Sequence, residues 1–220
     1  MIDLAIVVEG ATEEVFVRNV LKAYLKCKGI DVDPKPFQIG AGRSGCGGNV
    51  TIDELASDMH TCYEFHRSDA VTSLVDFYGF NDEGDRSPDQ LVEAIQNKIR
   101  EFSQNRELDE KFVFPYVQVH EFEGLLFSKV DRFEEEFGQA VVEDLQEIRD
   151  EVLTPEDINN GEQTAPSKRI RDLIGKRYRK MIHGPDLAAK IGLDTIRDEC
   201  PRFNAWLDRI ERLPENNQKL

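Results

Sequence analysis

Leu4-Ala5-Ile6-Val7-Val8-Glu9-Gly10-Ala11-Thr12-Glu13-Glu14 decides the fold, because an unbroken apolar run passes directly into a turn and a helix start. A short run rich in β-branched residues, with no polar alternation, is the pattern of a strand covered on both faces. Thr12 is the expected N-cap, and Glu13 and Glu14 suit the positive end of a helix. The helix then places Phe16, Val20 and Tyr24 on one stripe.

Further along, the same alternation repeats. A strand is expected near Pro36 to Ile39, then a glycine-rich loop, then a helix from Thr51, where Thr51 and Glu54 match a capping box. Val71 to Phe77 reads as the next buried strand. A helix from Pro88 to Phe102 carries Leu91, Ile95 and Ile99 on one stripe, and Phe112 to Val119 is another strand. Strands separated by helices imply an α/β fold with a mostly parallel sheet and helices on both faces, since parallel neighbours need crossover connections. Beyond Ser128 strand signals fade. The expected organisation is an α/β core over residues 1–128 and a helical C-terminal region over 129–220. Within the latter, a loop runs from Thr154 to Ser167, and two short helices meet near Cys200-Pro201 with Ile196, Phe203, Trp206 and Ile210 as core.

Composition sets limits on function. The 220 residues suffice for one good core and a smaller helical unit. No stretch of about 18 apolar residues argues for a membrane span, and the N-terminus reads as a strand rather than a signal peptide, so the expectation is a cytoplasmic protein. Cys27, Cys46, Cys62 and Cys200 have no CxxC spacing, which argues for reduced thiols rather than a zinc knuckle. The net charge of −15 opposes free-standing nucleic-acid binding, because such binding draws most of its affinity from cationic contacts to phosphate. One segment is an exception: Lys168, Arg169, Arg171, Lys176, Arg177, Arg179 and Lys180 are interrupted by a single acid, Asp172. It reads equally as a solvated face or as a phosphate contact.

Three polar groups fall where strands end, and in an open α/β sheet those carboxyl ends line the binding crevice. Glu9 and Glu13 sit four residues apart across a turn whose Gly10 permits a tight path. Two bare carboxylates about 4 Å apart repel by roughly 4 kcal/mol at an effective dielectric of 20, which a cation or shared proton relieves. Asp76 closes a buried-type strand and needs a partner there; Mg2+ or Mn2+, held by one or two carboxylates plus phosphate oxygens, is the natural one. The bland alternatives are a dipole-complementing acid at Glu13 and a turn-capping aspartate at Asp76. Asp82 is a candidate supplementary ligand. His120, Glu121 and Glu123 follow the 112–119 strand, their aim undetermined. Gly40-Ala41-Gly42-Arg43-Ser44-Gly45 satisfies G-x-G-x-x-G but lacks the helix and ribose-binding acid of a dinucleotide site, leaving phosphate contact through backbone N–H groups and Arg43. No Walker A or nucleophile-elbow motif occurs.

The segments Val8-Glu9-Gly10-Ala11-Thr12-Glu13, Val75-Asp76-Phe77-Tyr78-Gly79, His120 to Ser128, Ala165-Pro166-Ser167-Lys168-Arg169 and His183-Gly184-Pro185 together resemble the bacterial domain-of-unknown-function family 4276, over nearly the whole chain. That family is regarded as related to the Toprim fold of topoisomerases, primases and the overcoming-lysogenization-defect nucleases, and its genes often lie beside an ATPase in phage-defence settings. The resemblance implies metal-dependent phosphodiester chemistry. Glu9 matches the Toprim glutamate that serves as acid/base or metal ligand, Glu13 the second acid of E-x-x-x-E, and Asp76 the first aspartate of D-x-D. Tyr78 stands where the second aspartate belongs, which leaves two alternatives: Asp82, Glu121 or Glu123 substitutes, or the site is degenerate.

The expectation is therefore a Mg2+- or Mn2+-dependent nuclease. Glu9, Glu13, Asp76 and Glu123 form its metal set, and Glu9 and Lys168 its catalytic pair. Gly10, Arg43, His120, Lys168, Arg169 and His183 complete the candidate substrate-binding set. The charge of −15 implies that nucleic acid is presented by a partner, an ATPase encoded nearby. The alternative is a non-catalytic scaffold or regulatory subunit of an ATPase complex.

Overall fold

The structure is a computed structural model and describes residues 1–40, 50–81, 84–104, 108–158 and 164–217. The chain forms two compact units, one of residues 1–117 with 208–220, the other of residues 118–207. Among the described residues no helix is long and apolar enough to cross a membrane.

The first unit is built on a five-stranded, mostly parallel sheet in the order β2-β1-β3-β4, with β5 also on β3. The strands are β1 (Ile2–Val8), β2 (Val32–Gln38), β3 (Ala70–Asp76), β4 (Val113–Phe114) and β5 (Val117–Gln118). In β1, Ala5 and Val7 face one layer with Val71 and Val75, against Leu55, Met59, Ile95 and Ile99 of the helices Ile52–Glu64 and Pro88–Phe102. Leu4, Ile6 and Val8 are equally inaccessible on the other face, as a parallel strand with helices on both sides requires.

That second layer comes from a helical run in three parts: α1 (Ala11–Phe16), a π-turn (Val17–Leu21) and α2 (Lys22–Cys27). Gly10, not Thr12, occupies the N-cap, because its N–H donates to the Glu13 carboxylate three residues on; Thr12 is buried in the first turn. The wider π-turn rotates the rest of the helix about its axis, so Leu21 and Leu25 take the interior. Tyr24, expected in the core, is half-buried and donates to Glu211 at 3.1 Å.

β2 contains Pro34 and Pro36, which a strand interior tolerates only at a sheet edge. Val8 C=O accepts from Ile39 N–H at 3.0 Å, so odd-numbered residues of β2 face β1 and both prolines face outward. The next helix, α3 (Ile52–Glu64), is capped by Thr51, which accepts from Glu54 N–H as the spacing predicts. Ser87 and Gln90 form a capping box on α4 (Pro88–Phe102), whose Leu91, Ile95 and Ile99 are fully buried.

The single strand expected over 112–119 is two short ones, because Pro115 has no N–H to give the ladder. Ser73 on β3 bridges the gap: its hydroxyl accepts from Tyr116 N–H at 2.9 Å and donates to Tyr116 C=O at 2.8 Å. Thr72 does the same one-sidedly, donating to Phe114 C=O at 2.6 Å. These contacts account for two fully buried hydroxyls in a central strand.

The second unit has no strand of its own among its described residues after Gln118. A 3-10-rich stretch, Phe122–Phe133, leads to α5 (Glu134–Phe137), α6 (Gln139–Asp150), α7 (Pro166–Ile174), α8 (Lys180–Ile191), α9 (Leu193–Glu199) and α10 (Pro201–Glu211), of which residues from Asp208 on count with the first unit. The break at Cys200-Pro201 is where the sequence puts it, and Gly192, at φ +87°, adds a second one between α8 and α9. Two glutamates close helix N-termini here. Glu156 accepts from Arg202 and Phe203 N–H at 2.9 and 3.0 Å, and Glu121 accepts from Ser167 N–H and Oγ–H at 2.8 and 3.0 Å. The last helix, α11 (Leu213–Asn217), belongs to the first unit.

Ser73→Ala strips both Tyr116 groups of their buried partner. It should destabilise the protein by about 1–3 kcal/mol, read as a lower urea midpoint at unchanged slope.

Candidate functional site

Strand order turns the chain in opposite directions from β1: the first connection leads to β2 on one side, the second to β3 on the other. That makes the carboxyl edge between β1 and β3 the topological switch point, the usual crevice of an open α/β sheet. Val8 is in register with Leu74, so Glu9 and Asp76 both emerge at this edge, on adjacent parallel strands. Asp76 is 7% exposed. It stays extended (φ −69°, ψ 138°) and is followed by a 3-10 turn, Phe77–Gly79.

Two glycines shape the surroundings of Glu9. The N–H of Gly10 is 3.1 Å from Glu13 Oε2, which fixes Glu13 at the third position of α1, where it is 4% exposed. Gly79 lies directly against Glu9: a Cβ built there would be 2.3 Å from Oε2 and 2.8 Å from Cδ. The Glu9 carboxylate thus rests on bare backbone, with Oε2 buried. Glu14, the neighbouring acid, is committed elsewhere, accepting from Gln38 Nε2 at 2.7 Å and Arg18 Nε at 2.9 Å. Glycine after a strand-end acid is visible at Gly79 in the sequence, but its role depends on a long-range approach that no local signal announces.

The other expected residues belong to the second unit. Glu123 is fully buried; Tyr178 OH donates to its Oε1 at 3.3 Å and Lys180 Nζ lies 3.0 Å from its Oε2. Burial pushes the Glu123 carboxyl above its ordinary pKa, against the pull of Lys180, and pushes the Tyr178 hydroxyl up as well. Glu121 is engaged by Ser167 at the start of α7, the helix that carries Lys168 and Arg169 in its first turn. Arg169 donates to Thr164 C=O and contacts Glu151 at 3.5 Å. His183 is 4% exposed, accepts from Arg179 N–H on Nδ1 and sets Nε2 3.1 Å from Glu136, so both ring nitrogens are used inside the unit. His120 takes a left-handed backbone, φ +63°, and burial holds its imidazole below the usual pKa. Arg43, with the rest of the 41–49 loop, and Asp82 lie outside the described residues.

Within the first unit the chemistry is that of two carboxylates at one crevice. Among the described residues, no group of three or more His, Cys, Asp or Glu side chains converges as a metal site. An all-protein cage is therefore not what these residues build. The pair Glu9 and Asp76, with a carboxylate oxygen buried on a glycine, does fit the donor set of Mg2+ or Mn2+, which takes one or two carboxylates and completes its octahedron with water and phosphate oxygens.

Gly79→Ala obliges the Glu9 carboxylate to move, and the moving part is the end of a flexible side chain. Urea unfolding should stay within about 1 kcal/mol of wild type. Any divalent-ion binding that depends on Glu9 should fall as in Glu9→Ala, with the double variant no worse than either single one, in calorimetric titrations.

No curated protein and no solved structure matches the chain. The family model described as domain of unknown function DUF4276 matches residues 8–211, an interval that takes in Glu9, Gly10, Glu13 and Asp76, and the chain belongs to that family.

Proposed function

We propose that the chain is a Mg2+- or Mn2+-dependent phosphodiesterase of Toprim type that cleaves nucleic acid. The observation that carries this reading is the emergence of Glu9 and Asp76 at the carboxyl ends of adjacent parallel strands, on either side of the switch point. Glu9 and Asp76 would hold the ion; Glu13, through its hydrogen bond to Gly10 N–H, sets the turn that aims Glu9. A metal bound there would polarise the phosphate and lower the pKa of an attacking water. The acidity of the chain favours a substrate delivered by a more basic partner, and an ATPase encoded alongside is the partner the family resemblance suggests.

A second reading, a regulatory subunit that binds an ATPase without chemistry of its own, is favoured by Tyr78, which is 43% exposed where a D-x-D pair has its second acid.

Calorimetric titration of Mn2+ separates the two. A catalytic site predicts saturable binding that is lost in both Glu9→Ala and Asp76→Ala, and Mn2+-dependent cleavage of DNA or RNA that vanishes with it. Metal-dependent cleavage that survives in Asp76→Ala sinks the assignment, and a double variant that keeps full cellular function supports the regulatory subunit.

A further inference from the structure

The segment from Arg171 to Arg179 gathers exposed cations at the end of α7 and in the turn that follows it. With 43 acidic residues to 28 basic ones, cations here readily find carboxylates. Examples are Arg18 with Glu14, Lys22 with Asp33, Arg149 with Glu199 and Lys190 with Asp186. Arg171, Lys176, Arg177 and Arg179 are all exposed, and among the described residues none of the four lies at ion-pair distance from a carboxylate. Arg177 sits over the Phe137 ring at 5.9 Å, a contact that leaves its positive charge in place.

The strip is held rigidly from beneath. Gly175, at φ +67°, ends α7 and starts the 3-10 turn Gly175–Arg177. From there alternate residues turn inward: Tyr178 and Lys180 both reach the buried Glu123 carboxylate, while Lys176, Arg177 and Arg179 turn out. Fixing the backbone this way removes part of the ordering cost that a flexible basic tail meets on binding.

We infer that Arg171, Lys176, Arg177 and Arg179 form a docking strip for the sugar–phosphate backbone of single-stranded nucleic acid; this rests on the nucleic-acid reading above and adds to it the surface that receives the substrate. Arginine guanidinium groups match phosphate oxygens two at a time, and neutralising phosphates releases condensed counterions, a gain that an acidic protein segment of sparser charge does not supply. Met181 and Ile182, 57% and 51% exposed at the start of α8, add apolar surface beside the cations. In a single strand base faces meet such surface without the unstacking cost of a few kcal/mol per step that a duplex incurs, which favours a single strand. The aromatic of the segment, Tyr178, is buried, so the strip offers no stacking platform and reads backbone rather than base identity.

The test is fluorescence anisotropy with labelled single-stranded DNA and RNA oligonucleotides, on the full chain in EDTA so that no cleavage intervenes. Four phosphate contacts predict that log Kd rises with log salt at a slope of about 3, at roughly 0.7 per contact. The combined variant Arg171→Gln, Lys176→Gln, Arg177→Gln, Arg179→Gln should bind at least about tenfold more weakly at about 100 mM salt. Its charge-matched control is Arg18→Gln, Lys22→Gln, Lys26→Gln, Lys28→Gln, which should stay within about twofold. Circular dichroism establishes that both fold. No binding by wild type, or equal loss in both variants, overturns the strip; competition by polyglutamate as effective per charge as the oligonucleotide reassigns it to an acidic protein and overturns it too. Glu9→Ala and Asp76→Ala should retain oligonucleotide binding, and the strip variant should retain Mn2+ binding, so failure of the strip is distinguishable from failure of the metal site.

Discussion

The parallel pairing of β1 between β2 and β3 is the constraint on which the first unit depends. Because helices cover both faces, Leu4 to Val8 have nowhere to put a polar atom, and every one of them is fully buried. Polarity can return only where the strand leaves the sheet. Glu9 and Asp76 are therefore paired by topology before any attraction or repulsion between them is considered, and the glycines at 10 and 79 fit the backbone around that outcome. A strand order without the reversal at β1 would put a crossover connection over this edge and close it.

The second unit solves a different problem with the same side chain. Lacking a sheet to absorb backbone groups, it must satisfy helix ends locally, and it does so with glutamates: the buried Glu156 on α10 and the half-buried Glu121 on α7. Glu123 serves as an interior anchor rather than a cap, gathering Tyr178 and Lys180. An acid-rich composition, which at first sight speaks only of solubility, thus also supplies interior ties. Burying a carboxylate costs several kcal/mol unless donors meet it, and Glu156 and Glu123 each meet two.

How much of this could be read from residues alone depends on the range of the interaction. The strands at Leu4 to Val8 and Val71 to Asp76, the Thr51 cap and the Leu91, Ile95, Ile99 stripe are local signals and stand out as such. The Pro115 interruption is equally local, and a proline at that point is reason enough to divide the 112–119 strand. The π-turn at Val17 and its effect on Tyr24 are not, since an extra residue in a helical turn leaves the hydrophobic pattern merely blurred. Glu121, Glu123 and His183 look from their neighbours like exposed functional groups. Their partners Ser167, Lys180 and Glu136 lie tens of residues away, and no local pattern relates them.

The two prolines of β2 carry a consequence beyond the tolerance of an edge. With Pro34 and Pro36 turned outward, that border of the sheet lacks alternate N–H donors over its middle, so no incoming strand can complete a ladder there. Association by strand addition, the route by which many α/β proteins extend a sheet into a dimer or a fibre, is closed along that side. Whatever this protein assembles with must recognise it there through side chains, which leaves the choice of partner to charge and shape instead of to the generic appetite of an open backbone.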